Sequence, residues 1–214
     1  MEEAVEKSII FDLDGTLWNT VDEIATVWIS VAKKYNIEIE EKNIKSIMGM
    51  TKEEIINCLF KNNRKLGENF VTECQNEENK YLEKKGGTLY INTLNTLKKL
   101  YNLKCELYIV SNCQDGYIEA FLKFYKLSHI FKDYECSGRT GRDKEYNISI
   151  ILKRNNITDA IYVGDTYTDY ISAKNNDIDF IWAEYGFGNV EERVSSIKDI
   201  SKLIEYIDMN PKKA

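Results

Sequence analysis

The sequence predicts an α/β protein with a parallel β-sheet and a helical segment inserted after the first strand. Short apolar strands alternate with amphipathic helices beyond residue 87, and this order produces βαβ units and a parallel sheet. Between the first strand and Gly87 the hydrophobic pattern is helical only. We therefore expect an α/β core made of residues 1–16 and 87–214, and a helical domain made of residues 17–86.

The predicted strands are apolar runs that end at polar residues. Residues 7–13 form the first strand, and the continuous run Ile9-Ile10-Phe11 is typical of a strand buried on both faces. Asp14-Gly15-Thr16 is a turn signal that ends it. Further strands are predicted at residues 105–110, 134–136, 160–163 and 178–182.

The predicted helices follow from apolar residues spaced three and four apart. This spacing covers residues 20–35, and Thr51 with Glu54 forms a capping box that begins another helix. The charged stretch 73–85 is predicted to be a solvated helix face. Further helices are predicted at residues 70–85, 93–101, 115–125, 144–154, 168–175 and 197–207.

Composition indicates a globular protein that binds neither nucleic acid nor membrane. Of the 214 residues, 43% are apolar and 30% charged, with a net charge of -6 and basic residues spread along the chain. No apolar run approaches the roughly 20 residues of a membrane-spanning helix. Residues 1–8 are too acidic for a secretory signal, so we expect a cytoplasmic protein.

Cysteine and histidine usage narrows the possible chemistry. The five cysteines form no CxxC pair, which argues against a zinc site or a disulfide framework and favours a reducing compartment. His129 is the only histidine, so serine–histidine triads and multi-histidine metal sites are excluded. Carboxylates, lysine, hydroxyls and thiols remain as the reactive groups.

Polar residues follow several predicted strands at the point where each strand ends. Asp12 and Asp14 end the first, Ser111-Asn112 the second, and Gly164-Asp165 a later one. The carboxyl ends of parallel strands face a shared crevice, so these residues should converge. Two carboxylates about 4 Å apart repel by about 4 kcal/mol at an effective dielectric constant of 20. A cation must therefore hold them together, and an oxygen-only cluster suits Mg²⁺.

Four motifs in order resemble those of the haloacid dehalogenase (HAD) superfamily, in its phosphatase branch. They are Phe11-Asp-Leu-Asp-Gly-Thr-Leu17, Ser111-Asn112, Lys144 at a helix start, and Gly164-Asp165-Thr-Tyr-Thr-Asp169. The resemblance implies a Rossmann-like parallel sheet core with an inserted α-helical cap. The segment between the first motif and Gly87 is similar to the cap of the phosphoglycolate-phosphatase-like subgroup.

The resemblance also implies roles for the acidic residues. Asp12 would be the nucleophile, because a carboxylate can form a covalent acyl-phosphate. Asp14 would protonate the leaving oxygen and then take a proton from water, while Gly15 would turn its amide toward the phosphate. Mg²⁺ would be held by Asp12, the main-chain carbonyl of Asp14, and Asp165. Asp169 would not contact Mg²⁺ itself but would orient one of the metal ligands or Lys144.

Phosphate-binding groups are expected from the second and third motifs. Ser111 offers a hydroxyl and Asn112 an amide to phosphate oxygens. Lys144 would neutralise charge on the nucleophile and on the transferring phosphoryl group. Arg139 and Arg142 lie close to it in the sequence and are alternative cations.

These residues favour a cytoplasmic, Mg²⁺-dependent phosphatase that hydrolyses a small phosphorylated metabolite through phospho-Asp12. Asp14 favours phosphate esters, because dehalogenases of the superfamily lack an acid at this position. A phosphomutase of the same fold and a non-catalytic regulatory binding protein are the alternatives. An EF-hand is rejected, since Leu17 occupies the position that requires glycine. The substrate and the oligomeric state are not specified by the sequence.

Overall fold

The computed structural model describes residues 7–209, which form eight strands and ten helices. The strands are β1 (Ser8–Phe11), β2 (Trp18–Asn19), β3 (Thr88–Leu89), β4 (Glu106–Ser111), β5 (Phe131–Cys136), β6 (Ala160–Gly164), β7 (Asp179–Ala183) and β8 (Ser195–Ile197). The helices are α1 (Val21–Tyr35), α2 (Glu41–Ile47), α3 (Lys52–Leu59), α4 (Arg64–Lys85), α5 (Thr93–Asn102), α6 (Tyr117–Tyr125), α7 (Ser137–Thr140), α8 (Lys144–Arg154), α9 (Tyr167–Asn175) and α10 (Lys202–Met209).

Six of the strands form one parallel sheet in the order β5-β4-β1-β6-β7-β8. Strand β1 lies in the interior and pairs with both β4 and β6, with Ser8 opposite Glu106 on one side and Ala160 on the other. The carboxyl ends of these three strands therefore lie side by side. The α/β fold with a parallel sheet that the sequence predicts is confirmed.

Both faces of the sheet are covered, which explains the continuous apolar run in β1. Ile9 and Phe11 point into one hydrophobic core, together with Ile118 of α6. Ile10 points into the other, together with Ile148 of α8. Alternate residues of a strand face opposite sides, so a strand buried on both sides must be apolar throughout.

Helices α1–α4, here called the helical segment, lie between β2 and β3. Helix α4 spans 22 residues and packs against α1, α3 and also α6. The two-stranded antiparallel ribbon β2–β3 joins the ends of the segment, with Trp18 opposite Leu89. That residues 17–86 form a separate domain stays a prediction.

Two predicted helices differ from those observed. The predicted helix 197–207 is wrong at its start, because Ile197 pairs with Ala183 and ends strand β8. A turn held by Asp199, which accepts a hydrogen bond from the Ser201 amide at 2.8 Å, precedes α10. Helix α4 begins six residues earlier than predicted, where the side chain of Asn63 caps it.

Residues 1–6, most of the acidic start that argued against a secretory signal, lie outside the described residues, as do residues 210–214. Within residues 7–209, no helix combines the length and the apolar character needed to cross a membrane.

Candidate active site

Asp12 lies directly after β1, at the centre of the carboxyl edge of the sheet. Its amide donates a hydrogen bond to the Val163 carbonyl at 2.9 Å, which extends the pairing with β6 by one residue. The residue is only 2% exposed, and its Oδ1 lies 2.9 Å from Lys144 Nζ. Within residues 7–209 this buried oxygen accepts no well-aligned hydrogen bond. Asp12 therefore keeps unused capacity to bind a ligand.

Lys144 is the first residue of α8 and is buried between two carboxylates. Its Nζ lies 2.9 Å from Asp12 Oδ1 and 2.5 Å from Asp169 Oδ1. Burial alone would lower the pKa of Lys144, but the two carboxylates outweigh it and raise the pKa, so the ammonium stays charged. Asp143 caps the helix by accepting a hydrogen bond from the Tyr146 amide, which fixes the position of Lys144.

The two alternative cations point elsewhere. Arg139 forms ion pairs with Asp115 and Glu119, and Arg142 stacks over the Tyr146 ring. Of the three basic residues near the third motif, Lys144 is the one that contacts Asp12.

Asp169 connects Lys144 to the loop that carries Asp165. One carboxylate oxygen contacts Lys144, and the other accepts hydrogen bonds from the Asp165 amide at 3.1 Å and the Thr166 amide at 2.9 Å. The Thr166 hydroxyl donates a further bond to it at 2.7 Å and accepts one from the Asp169 amide at 3.2 Å, which completes the capping box of α9. Both oxygens of Asp169 are thus occupied by protein donors.

Asp165 follows β6 and is enclosed by backbone. Its Oδ2 accepts hydrogen bonds from the amides of Phe187 at 2.7 Å and Gly188 at 3.2 Å. A Cβ added to Gly15, whose φ is +84°, would lie 2.3 Å from Asp165 Oδ2, and one added to Gly186 would lie 2.2 Å from Asp165 Cβ. Glycine at both positions is therefore required for this close approach.

The carboxylates of Asp12, Asp165 and Asp169 meet, with one oxygen from each within 4.8 Å of the others. Lys144 balances one of the three charges, so full ionisation leaves two negative charges in excess. Burial raises the pKa of Asp12 well above its ordinary value, and burial with the charge of Asp169 raises that of Asp165 to about 7. A divalent cation matches this excess, and oxygen donors suit a hard ion. Asp165 Oδ1 accepts a long hydrogen bond from the Thr16 hydroxyl at 3.4 Å, and Asp12 Oδ1 accepts none that is well aligned, so these two oxygens are the freest to bind the ion.

The side chain of Asp14 turns away from this cluster. Its Oδ1 accepts hydrogen bonds from the Thr20 hydroxyl and the Tyr117 hydroxyl, each at 2.8 Å. Burial raises the pKa of Asp14 to about 6, and these two hydrogen bonds partly offset the effect. A carboxyl group with this pKa can exchange a proton near neutral pH.

Ser111 and Asn112 lie at the end of β4, beside β1. The Ser111 hydroxyl accepts a hydrogen bond from the Cys113 amide at 3.4 Å and retains its own hydrogen for donation. The Asn112 amide nitrogen donates to the Gly49 carbonyl, while its oxygen accepts from the Ser137 hydroxyl, both at 3.0 Å. Asn112 thus links the sheet to the loop after α2, and phosphate binding by this residue stays a prediction.

A small cavity of about 50 Å³ separates the sheet edge from the helical segment. Asp12, Asp14, Ser111 and Asn112 line it on the side of the sheet. The helical segment closes the other side with mainly apolar residues: Ile24, Trp28, Ile47, Met48, Met50 and Ile55. A cleft of about 810 Å³ adjoins it and shares four of its lining residues, so the two spaces are neighbours.

Two features of the site are absent from the sequence-based prediction. The loop with Gly186, Phe187 and Gly188 holds Asp165, and its two glycines just after a strand were the available signal. Glu78 also lines the small cavity, whereas the charged stretch 73–85 was predicted to be a solvated helix face. That prediction is wrong for Glu78, which is 4% exposed, because α4 turns this one carboxylate toward α1 and the sheet.

Comparison with known proteins agrees with this fold. The model of the haloacid dehalogenase-like hydrolase family matches residues 9–183. A curated phosphoglycolate phosphatase of Vibrio cholerae is 23% identical over 219 residues, covering 94% of this chain and 96% of that protein. Its name agrees with the enzyme class predicted from the sequence, a phosphoric monoester hydrolase.

Comparison with solved structures gives the same fold. A haloacid dehalogenase-like hydrolase of Streptococcus pneumoniae has a TM-score of 0.79 at 20% identity, covering 96% of this chain and 100% of that one. A Clostridium acetobutylicum protein described as a predicted phosphatase has a TM-score of 0.82 at 21% identity, covering 96% and 99%. The predicted resemblance is confirmed, and the chain belongs to the haloacid dehalogenase-like hydrolase family.

Proposed function

We propose that the protein is a Mg²⁺-dependent phosphatase that transfers the phosphoryl group of a small phosphorylated metabolite to Asp12 and then to water. The observation that carries the proposal is the position of Asp12. It lines a cavity, contacts Lys144, and has a carboxylate oxygen close to one of Asp165. A nucleophile at the cavity wall is thereby combined with a buried cation and a buried metal ligand directly beside it.

The donor set fits the proposed ion. Asp12 and Asp165 would hold Mg²⁺ with their carboxylates, and Asp14 with its main-chain carbonyl. All of these donors are hard oxygens, and the fully ionised cluster has two negative charges that Lys144 does not balance. When bound, the ion would reduce the charge repulsion between Asp12 and the phosphoryl oxygens.

In the first step, Asp12 attacks phosphorus and displaces the alcohol of the substrate. A bond forms between an Asp12 oxygen and phosphorus as the bond from phosphorus to the leaving oxygen breaks. Protonated Asp14 donates its proton to that oxygen, so a neutral alcohol departs. Lys144 offsets one negative charge during the transfer, because its ammonium lies 2.9 Å from Asp12.

In the second step, Asp14 acts as the base. It takes a proton from a water molecule, which attacks the phosphorus of phospho-Asp12. The bond between Asp12 and phosphorus breaks, inorganic phosphate leaves, and both aspartates return to their starting states. Thr20 and Tyr117 position Asp14 for both proton transfers through their hydrogen bonds to its Oδ1.

The curated phosphoglycolate phosphatase supports a small phosphorylated metabolite as the substrate class. The five cysteines are free thiols, which supports a reducing cytoplasm as the compartment. A phosphomutase would return the phosphoryl group to a sugar, and a regulatory binding protein would not turn over at all. Release of inorganic phosphate separates the proposed phosphatase from both alternatives.

The direct test is Asp12→Asn, assayed by phosphate release from 4-nitrophenyl phosphate with Mg²⁺. We expect kcat to fall by at least about 1,000-fold, because the amide cannot form the acyl-phosphate. Asp22→Asn is the matched control, since Asp22 is an exposed aspartate on α1, and it should retain wild-type turnover. Turnover of the Asp12 variant near the wild-type level would refute the proposal.

A further inference from the structure

A buried carboxylate of the helical segment faces the proposed site and has no part in the two chemical steps. Glu78 lines the same small cavity as Asp12 and Asp14. Its Oε1 accepts a hydrogen bond from Trp28 Nε1, and its Oε2 accepts one from Gln114 Nε2 at 2.6 Å. Both oxygens act as acceptors, as suits an ionised carboxylate. Each retains capacity to accept a further hydrogen bond from a ligand.

Gln75 lies one helical turn before Glu78, on the same face of α4. It is 9% exposed and lines both the small cavity and the adjoining cleft. Within residues 7–209 its side-chain amide forms no hydrogen bond. Its amide is therefore free to donate and accept hydrogen bonds with a ligand that enters from the cleft.

No lysine or arginine lines the small cavity in the described part of the chain. Lys144 lies behind Asp12 and is already paired with Asp12 and Asp169. The adjoining cleft is lined by five carboxylates and two basic residues, and three of the five carboxylates pair with Arg64 or Arg139. The carboxylates are Glu53, Glu54, Glu68, Asp115 and Asp143, and the basic residues are Lys52 and Arg142. A second negative charge on the substrate would therefore meet Glu78 in the small cavity and find no lysine or arginine there to pair with.

We infer that the substrate is the phosphate ester of a small uncharged or cationic alcohol, whose second hydroxyl or amino group binds Glu78 and Gln75. The inference rests on the proposed phosphatase activity and defines its substrate class. Phosphoglycolate, in the name of the curated relative, carries a carboxylate on its leaving group. In this protein that carboxylate would lie near Glu78 with no cation to balance it, so the ester is discriminated against.

The test compares three two-carbon esters with Mg²⁺ at pH 8: 2-hydroxyethyl phosphate, 2-aminoethyl phosphate and 2-phosphoglycolate. We expect kcat/KM for the first two to exceed that for 2-phosphoglycolate by at least about tenfold. Equal or faster hydrolysis of 2-phosphoglycolate would overturn the inference. The inference would also be overturned if the protein hydrolyses 4-nitrophenyl phosphate but none of the three esters.

The outcomes separate this inference from the proposed function. If 4-nitrophenyl phosphate is hydrolysed and 2-phosphoglycolate is preferred, the substrate class is wrong while the phosphatase activity stands. If neither 4-nitrophenyl phosphate nor any of the three esters is hydrolysed, the proposed function fails and the inference fails with it.

Glu78→Gln tests the residue itself. The ratio of kcat/KM for 2-aminoethyl phosphate to that for 2-phosphoglycolate should fall about tenfold, because the repelling charge is removed. Glu77→Gln is the matched control, since Glu77 is the adjacent, partly exposed glutamate that pairs with Lys80, and its ratio should stay at the wild-type value. An unchanged ratio in folded Glu78→Gln would refute the role of Glu78. If that variant does not fold, the wild-type ratios still decide the inference.

Discussion

Glu78→Gln should also change the pH dependence of stability in a defined way. Glu78 is buried, and burial raises its pKa from 4.5 to about 7, with a smaller contribution from the nearby charge of Asp14. The hydrogen bonds from Trp28 and Gln114 oppose this rise without cancelling it. In the folded protein this carboxyl group therefore stays protonated up to about pH 7, and at pH 8 it is mostly ionised.

The magnitude follows from linkage between protonation and folding. At about 1.4 kcal/mol per pH unit, the rise from 4.5 to about 7 corresponds to about 3.5 kcal/mol, of which about 3 kcal/mol develops between pH 4 and pH 8. Between these pH values the folded protein keeps a proton at Glu78 that the unfolded chain has lost, so stability falls as pH rises. Below pH 4.5 this loss of stability is absent, and above about pH 7 it reaches its full size. Glutamine does not titrate, so the variant lacks this contribution.

Urea unfolding at pH 4 and pH 8 measures the effect without Mg²⁺. The free energy of unfolding of the wild type minus that of Glu78→Gln should decrease by about 3 kcal/mol between the two pH values. The glutamine side chain of the variant loses one hydrogen bond, which changes the free energy of unfolding by the same amount at both pH values. Only the change in the difference between the two proteins from pH 4 to pH 8 is therefore diagnostic. Glu77→Gln should show no comparable decrease. A difference that stays constant from pH 4 to pH 8 would refute the assignment of Glu78 as a buried carboxylate with a raised pKa.

Two further substitutions test the geometry around Asp12. Gly15→Ala should lower kcat/KM at least about 100-fold, because its Cβ would lie 2.3 Å from Asp165 Oδ2 and must displace it. Gly141→Ala is the control, since Gly141 also has a positive φ but no atom within 4 Å of the added Cβ, and its activity should persist; equal losses in both would contradict the steric argument. Lys144→Met should lower the free energy of unfolding by about 3–5 kcal/mol in urea, because Asp12 loses its buried partner. A loss below about 1 kcal/mol would contradict that pairing.

The sequence was sufficient to predict the sheet and the positions of residues that directly follow its strands. The buried run in β1 marks an interior strand, and parallel pairing then brings the chain after β4 and β6 to the same edge. Asp12 and Asp165 are separated by more than 150 residues but have carboxylate oxygens within 4.8 Å of each other. This contact follows from topology alone, which is why it was predictable.

Contacts made by loops and by the helical segment were not predictable in the same way. Phe187 and Gly188 hold Asp165 through their amides, and the glycines after β7 indicate a loop without indicating what its amides bind. Glu78 has the same residue type as its exposed neighbour Glu77, and only the packing of α4 separates the two. Ile197 suits the apolar pattern of a helix, but the free edge of β7 makes it part of a strand.

The central claim is that Asp12 takes up the phosphoryl group. It is tested most directly by mixing the protein with 4-nitrophenyl phosphate and Mg²⁺, quenching rapidly with acid, and mapping the modified peptide by mass spectrometry. We expect one phosphoryl group on Asp12 during turnover and none in the Asp12→Asn variant. Steady phosphate release with Asp12 never modified, or with the phosphoryl group on another residue, would contradict the account.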